Sequence, residues 1–186
     1  MTSLNQLALA GQAPKTQAAA ARQYLLFTLN TESFAIDILH IREIIEYGQL
    51  TQVPMMPDTV RGVINLRGAV VPVIDLSARF GKPATQAGRR TCIVIAEVAQ
   101  DADTQTLGIV VDAVNAVTEI APEDIEAAPS FGARIRTDFI AGMARQDGRF
   151  VIVLDIGCVL SMDELSDLDA LADSAASGRA NVALQA

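Results

Sequence analysis

The sequence has no tryptophan and one histidine, and aromatic residues fill only 4% of its 186 positions. Each shortage closes a line of chemistry. A single histidine, His40, cannot build a His-based metal cluster or a paired-histidine acid–base site. It sits in Ile38-Leu39-His40-Ile41 with no nucleophile motif beside it, which reads as a partly exposed strand or turn residue. The two cysteines, Cys92 and Cys158, lack a C-x-x-C spacing. Each stands in an apolar run, which reads as a pair of buried, reduced thiols without metal or disulfide. There is no G-x-x-x-x-G-K-[ST] phosphate loop and no G-x-G-x-x-G after a strand. Positive charge is scarce too: 14 Lys and Arg stand against 22 Asp and Glu, a net charge of −8. That balance argues against nucleic acid and against docking on anionic lipid. No apolar run reaches the roughly 18 residues a membrane helix needs. The N-terminus lacks the basic-then-apolar order of a secretory signal. The expected compartment is the cytoplasm, with no cofactor and no catalytic residue assigned.

What the sequence does have is apolar mass, 51% of residues, carried by Val, Ile, Leu and Ala. β-Branched residues favour strands. Residues 1–22 and 173–186 are small and polar and read as disordered tails. Between them, short apolar runs alternate with turn residues. Gln23–Leu29 and Phe34–Ile38 read as strands around the turn Asn30-Thr31-Glu32-Ser33. Ile41–Ile45 fits a strand or one helical turn. Val63–Leu66 and Ala69–Ile74 read as a hairpin around Arg67-Gly68. Thr91–Val98 and Leu107–Val117 are expected strands joined by the polar loop Gln100–Gln105, and Arg149–Leu154 is the last strand. Ser161-Met162-Asp163-Glu164 has a capping-box pattern. Leu165, Leu168 and Leu171 follow at helical spacing, so a short helix over 161–172 is expected to pack its leucines on the strands.

A repeat runs through the strands. Asp58, Gly62, Gly68 and Asp75 recur as Asp138, Gly142, Gly148 and Asp155, at a constant offset of 80. Val70–Leu76 matches Phe150–Ile156 at the same offset, and Phe34-Ala35-Ile36 aligns with Leu107-Gly108-Ile109 at an offset of 73. The pattern predicts two similar β units, about 23–88 and 89–156, packed face to face because halves this small bury little core alone. Each unit is expected to hold a short helix ending at Gly62 or Gly142, then a hairpin, then an Asp capping another helical turn.

Two charged residues stand in apolar surroundings, Glu43 in Ile41–Ile45 and Arg67 at the hairpin tip. Under the repeat their counterparts are Ala116 and Asp147, so only the first unit carries the pair. On composition alone they read as ordinary surface charges.

Phe34-Ala35-Ile36-Asp37-Ile38 with Ile41-Arg42-Glu43-Ile44, then Arg61-Gly62-Val63-Ile64-Asn65-Leu66-Arg67-Gly68 with Val71-Pro72-Val73-Ile74-Asp75-Leu76, resemble the CheW family of chemotaxis coupling proteins. Gly108–Asp112 and Leu154-Asp155 fit as well, and the likeness spans about Arg22 to Leu165. It implies an all-β fold: two pseudo-symmetric five-stranded β-barrels sharing an apolar core, plus the short C-terminal helix, in one domain over 23–172. It also implies a non-enzymatic adaptor between chemoreceptor (methyl-accepting chemotaxis protein) cytoplasmic tips and the regulatory domain of the histidine kinase CheA. Residues matching Glu43 and Arg67, with the apolar neighbour Ile41, lie in that family's receptor-binding region. A groove for a receptor helix is expected along the face of Ile41 and Ile44. The family's kinase-binding surface is not carried by a motif, so no residue here is assigned to it. An adaptor of a twitching-motility or other non-flagellar chemosensory pathway would read the same way. A small-ligand-binding barrel would need polar side chains converging on a cleft, and no such cluster stands out in the sequence.

Overall fold

The computed structural model describes residues 20–100, 103–128 and 135–161. The expected helix over 161–172, the tail 173–186 and nearly all of the tail 1–22 lie outside the described residues. Among the described residues, runs of β-branched and aromatic residues, punctuated by turn formers, give ten strands. They are β1 Arg22–Leu29, β2 Glu32–Asp37, β3 Ile41–Glu46, β4 Val60–Leu66, β5 Ala69–Asp75, β6 Cys92–Gln100, β7 Asp103–Val111, β8 Ala113–Ile120, β9 Ile140–Gln146 and β10 Arg149–Leu154. Two four-residue helices follow, α1 Leu76–Arg79 after β5 and α2 Ile156–Val159 after β10. Each begins at the expected Asp. The Asp75 carboxylate accepts from the amides of Ser77 and Ala78, and Asp155 accepts from that of Cys158, satisfying donors the helix start leaves open.

The strands form two five-stranded sheets. Sheet I has the order β8-β1-β2-β10-β9 and sheet II the order β3-β6-β7-β5-β4. Exchanging each strand for its repeat counterpart, β1 with β6 through β5 with β10, converts one order into the other. The registers agree in detail. Val60 faces Ile74 and Gly62 faces Val73 across one bulge; Ile140 faces Leu154 and Gly142 faces Val153 across its copy. The parallel contacts also match, Ala35 on Val153 in sheet I and Gly108 on Val73 in sheet II.

The sheets are nevertheless not the sequence halves 23–88 and 89–156. The β1–β2 hairpin of the first half is flanked by β8 and β10 of the second, and the β6–β7 hairpin of the second by β3 and β5 of the first. A hairpin alone leaves two open edges, and this exchange pairs both with strands of the other half. Chain crossings occur at the single turn Ile38–His40 and at Asp112, which splits the expected strand Leu107–Val117 into β7 and β8. Among the described residues no ladder joins β3 to β4 or β8 to β9, so each expected barrel is a curled sheet that backbone pairing leaves open. Single bridges from the preceding connections narrow the gap, Thr51 on Val63 and Glu126 on Met143.

Three apolar cores result. The largest lies between the sheets and includes Leu25, Phe27, Phe34, Ile36, Ile74, Val94, Ile109, Val111 and Leu154. A smaller one lines the inside of each curl: Ala35, Val151 and Val153 in sheet I, and Val73, Ile93, Ile95 and Val110 in sheet II. Ile36, Val71, Val73, Ile109, Val111, Val151 and Val153 are buried, and so are Ala35 and Val110, because the middle strands are covered on both faces. Ile38 is only half-buried, because it opens a 3-10 turn and not the end of a strand.

Two expectations fail. Gly62 and Gly142 lie within β4 and β9 and end no helix. They serve close approach: a Cβ at Gly62 would strike the Thr51 carbonyl oxygen, and one at Gly142 would stand 2.8 Å from that of Glu126. The cysteines are not buried either. Cys92, at the start of β6, is half-buried, and Cys158 is exposed, since an apolar run does not say which face of the one-turn helix α2 a residue takes. Desolvation and the nearby Asp155 carboxylate push the Cys158 thiol up, which keeps it a poor nucleophile despite its exposure.

Candidate functional site

β3 is an edge strand of sheet II, and a bulge at Arg42 sets its geometry. Ile41 pairs with Ala96, Glu43 with Ile95 and Ile44 with Val94. Directly paired residues share a face of the sheet. Ala96 and Val94 belong to the core between the sheets, while Ile95 faces the inside of the curl. The bulge therefore brings Ile41 and Ile44 to one face, as expected, although three residues apart on a regular strand they would oppose each other. Ile41 packs against the large core, and Ile44, on the same face, is 42% exposed. Glu43 turns to the other face of the strand, at the rim of the curl.

Arg67 reaches this rim from the far edge of the sheet. The β4–β5 hairpin closes with Arg67 and Gly68, both at positive φ, +52° and +90°, the backbone of a tight two-residue turn. The Asn65 side-chain oxygen accepts from the Gly68 amide at 2.9 Å. The Arg67 guanidinium Nη2 donates to Glu43 Oε2 at 3.0 Å. Glu43 and Arg67 thus meet, closing the rim from β3 to the hairpin tip. The Arg67 side chain is 76% exposed, so the pair adds at most about 1 kcal/mol to stability. Its arginine is also in a backbone region that favours glycine or asparagine. His40 ends the Ile38–His40 turn, exposed. Among the described residues no group of three or more His, Cys, Asp or Glu side chains is placed to hold a metal ion, and no helix is long and apolar enough to cross a membrane.

A family model for the CheW-like domain matches residues 23–164. The chain belongs to that family. It is similar to the chemotaxis protein CheW of Klebsiella aerogenes, 35% identical over 82% of this chain and 90% of that protein. It is likewise similar to the chemotaxis protein CheW of Bacillus subtilis, 33% identical over 81% and 93%. Among solved structures it resembles the scaffolding protein TtCheW of Thermoanaerobacter tengcongensis. The TM-score is 0.69 at 29% identity, with 82% of this chain and 96% of that one covered.

Within this CheW-like domain the sequence missed a second polar group. Arg61, on β4, forms an ion pair from Nε to Asp75 Oδ2 at 3.7 Å and donates from Nη2 to the Thr85 carbonyl at 2.8 Å and the Tyr47 hydroxyl at 3.3 Å. Asp75 is fully buried. Besides the two helix amides it accepts from the Thr85 amide at 2.8 Å and the Thr85 hydroxyl at 3.2 Å. A signal for this existed. It was faint: Arg61 precedes Gly62 and is the bulged residue of the hairpin, between the pairs Val60–Ile74 and Gly62–Val73.

Proposed function

We propose that the protein is a non-enzymatic adaptor of a chemosensory pathway, coupling a chemoreceptor cytoplasmic tip to the regulatory domain of a CheA histidine kinase on the cytoplasmic side. The observation that carries the receptor assignment is the rim of sheet II. A partly exposed apolar strip, Ile41 and Ile44, lies along an edge strand whose other face carries the Glu43–Arg67 pair. A receptor tip is a helical hairpin, and a helix docks by laying an apolar stripe on such a strip. The strip contributes area, at about 25 cal/mol per Å² removed from water. The ion pair contributes register: its exposed arginine has a planar fork that can also accept a carboxylate of the helix. The similar Thermoanaerobacter tengcongensis protein is a scaffolding protein, which supports a role in assembly and not in catalysis.

The test is titration of wild type, Arg67→Ala and Glu43→Lys against a receptor tip fragment and, separately, the kinase regulatory domain. Both variants are expected to weaken receptor binding about tenfold and leave kinase binding and the melting temperature nearly unchanged. Wild-type receptor affinity in both variants, or equal losses toward both partners, would remove these residues from the receptor site.

A further inference from the structure

The chain enters β1 at the margin of the receptor strip. The register that sets Tyr24 opposite Asp37 carries Arg22 to the turn Ile38–His40, and an Arg22–Asp37 ion pair at 3.6 Å holds it there. On its other side Arg22 pairs with Ile120 of β8. Exposed apolar side chains surround this entry: Leu39 in the turn, Val117 on β8 and Ile44 on β3. At 82%, Leu39 is the most exposed large apolar residue among those described.

We propose that the N-terminal segment Ser3–Ala10, which lies outside the described residues, docks as a two-turn helix on the strip from Leu39 to Ile44 and competes there with the receptor helix. The competition rests on the receptor reading above; the docking does not.

The residues of the segment fit the strip. Ser3 and Gln6 stand at capping-box spacing, and Gly11 follows as a helix-ending glycine. Between them Leu4, Leu7 and Ala8 share one helical face, while Leu9 falls on the opposite one. Two turns are too short to persist alone in water, so the segment needs a surface to lie on. An apolar helical stripe on an apolar strip is also the docking mode of a receptor tip, which makes the segment an internal mimic of the partner.

Reach and charge single out this segment. The connection Gly11–Ala21 spans about 18 Å as a flexible coil and about 37 Å when extended. The strip starts at the turn beside Arg22 and runs about 10 Å along β3 from Ile41 to Ile44. Arg22, Arg42 and Arg67 each pair with a carboxylate, Asp37, Glu97 and Glu43. That leaves the exposed Glu46 on β3 and Glu119 on β8 in excess. The residues before Arg22 carry Lys15 and no acid, in a chain of net charge −8. The residues after Ser161 are the reverse, with Asp163, Glu164, Asp167, Asp169 and Asp173 against Arg179. Like charge makes that second segment the poorer occupant. The short tether holds Ser3–Ala10 at an effective concentration of a few mM, written here as about 2 mM. A stripe with an affinity of about 1 mM is then docked most of the time and weakens receptor binding about threefold.

The test uses the full chain and its Leu4→Ser/Leu7→Ser and Leu9→Ser variants. Without receptor, the backbone amide shifts of Leu39, Ile44 and Val117 are expected to differ between wild type and Leu4→Ser/Leu7→Ser, and to be alike in wild type and Leu9→Ser. The difference should persist on about tenfold dilution, as a tethered contact requires. Titration with a receptor tip fragment should find Leu4→Ser/Leu7→Ser about threefold tighter than wild type and Leu9→Ser unchanged. Equal shifts in all three proteins, or a Leu9→Ser effect as large as that of the stripe, would overturn the proposal. So would a difference lost on dilution, the mark of a second copy as occupant, or a receptor affinity that the stripe variant leaves unchanged. The amide shifts need no receptor and the Arg67→Ala titration needs no tail, so either reading can fail alone.

Discussion

At the rim of sheet II, Glu43 meets Arg67; at the matching rim of sheet I stand Ala116 and Asp147. The match is structural as well as sequential. Ile44 pairs with Val94 and Val117 with Leu25, and Val94 and Leu25 themselves face Ile109 and Ile36, the aligned pair of the repeat. The capping aspartates differ in the same sense. Asp75 is buried under Arg61 and Thr85, whereas Asp155 is exposed and Ala141 replaces the arginine. The exposed apolar positions, by contrast, recur: Ile44 with Val117, and Val70 with Phe150. The strands, bulges and turns kept in both copies are those that bury the three cores. The charged groups on one copy alone make the molecule directional, so a partner that recognises the Glu43–Arg67 rim has one place to bind and not two.

The sharpest test of this asymmetry is the pair of capping aspartates. Asp75→Ala leaves the half-buried Arg61 without its counter-charge and the amides of Ser77, Ala78 and Thr85 without their acceptor, at a cost of about 3–5 kcal/mol. Asp155→Ala removes an exposed cap worth about 1 kcal/mol. Urea unfolding measures both, and equal costs would mean the two ends of the repeat are energetically alike. The close-approach glycines come next. Gly62→Ala combines a clash with the Thr51 carbonyl and a φ of +140°, and is expected to cost about 3 kcal/mol or more. Gly142→Ala carries the clash without a positive φ and should cost less in the same assay.

Binding sharpens the comparison at a smaller scale. Asp147→Ala, the counterpart of Arg67→Ala, should leave receptor affinity unchanged within about twofold, against the tenfold loss expected on sheet II. Smallest is the turn itself. Arg67→Gly relieves a left-handed arginine and should gain about 0.5 kcal/mol, since the relief exceeds the entropy of the added glycine only slightly. A stability gain together with lost receptor binding, read by thermal melting and titration, would show that arginine is kept at this position for recognition at the expense of the fold.

Much of this was legible in the residues. The constant offset of 80 marked the repeat, because turn glycines and capping aspartates are local requirements that the sequence states directly. The pairing of strands was not legible. An offset says which segments are alike, not which lie side by side, and the parallel contacts of β2 with β10 and β5 with β7 join segments far apart in the chain. Gly62 was misread because a glycine needed for close approach looks the same as one ending a helix. Glu43 and Arg67 stood out by their apolar neighbours. Arg61, equally charged, stood one residue before a turn signal, and its pairing with the buried Asp75 was not foreseen.

The exchange of strands between halves also constrains how the protein can be made. As the chain leaves the ribosome, β5 is synthesised before β7, its partner in the middle of sheet II. β2 must wait for β10, the last of the described strands to emerge. Neither half can complete a sheet from its own residues, so the nascent chain carries unpaired strand edges until residue 154 is free of the exit tunnel. Long-range pairing of this kind is slow and exposed to aggregation. Sheet II, built from the contiguous strands β3 to β7, can pair once Val111 has emerged, whereas sheet I, which joins β1 and β2 to β8, β9 and β10, is a late event. Truncation before β10 should therefore disrupt sheet I, which holds the first strands of the chain, in contrast to a chain built from two barrels in series, whose first barrel would survive.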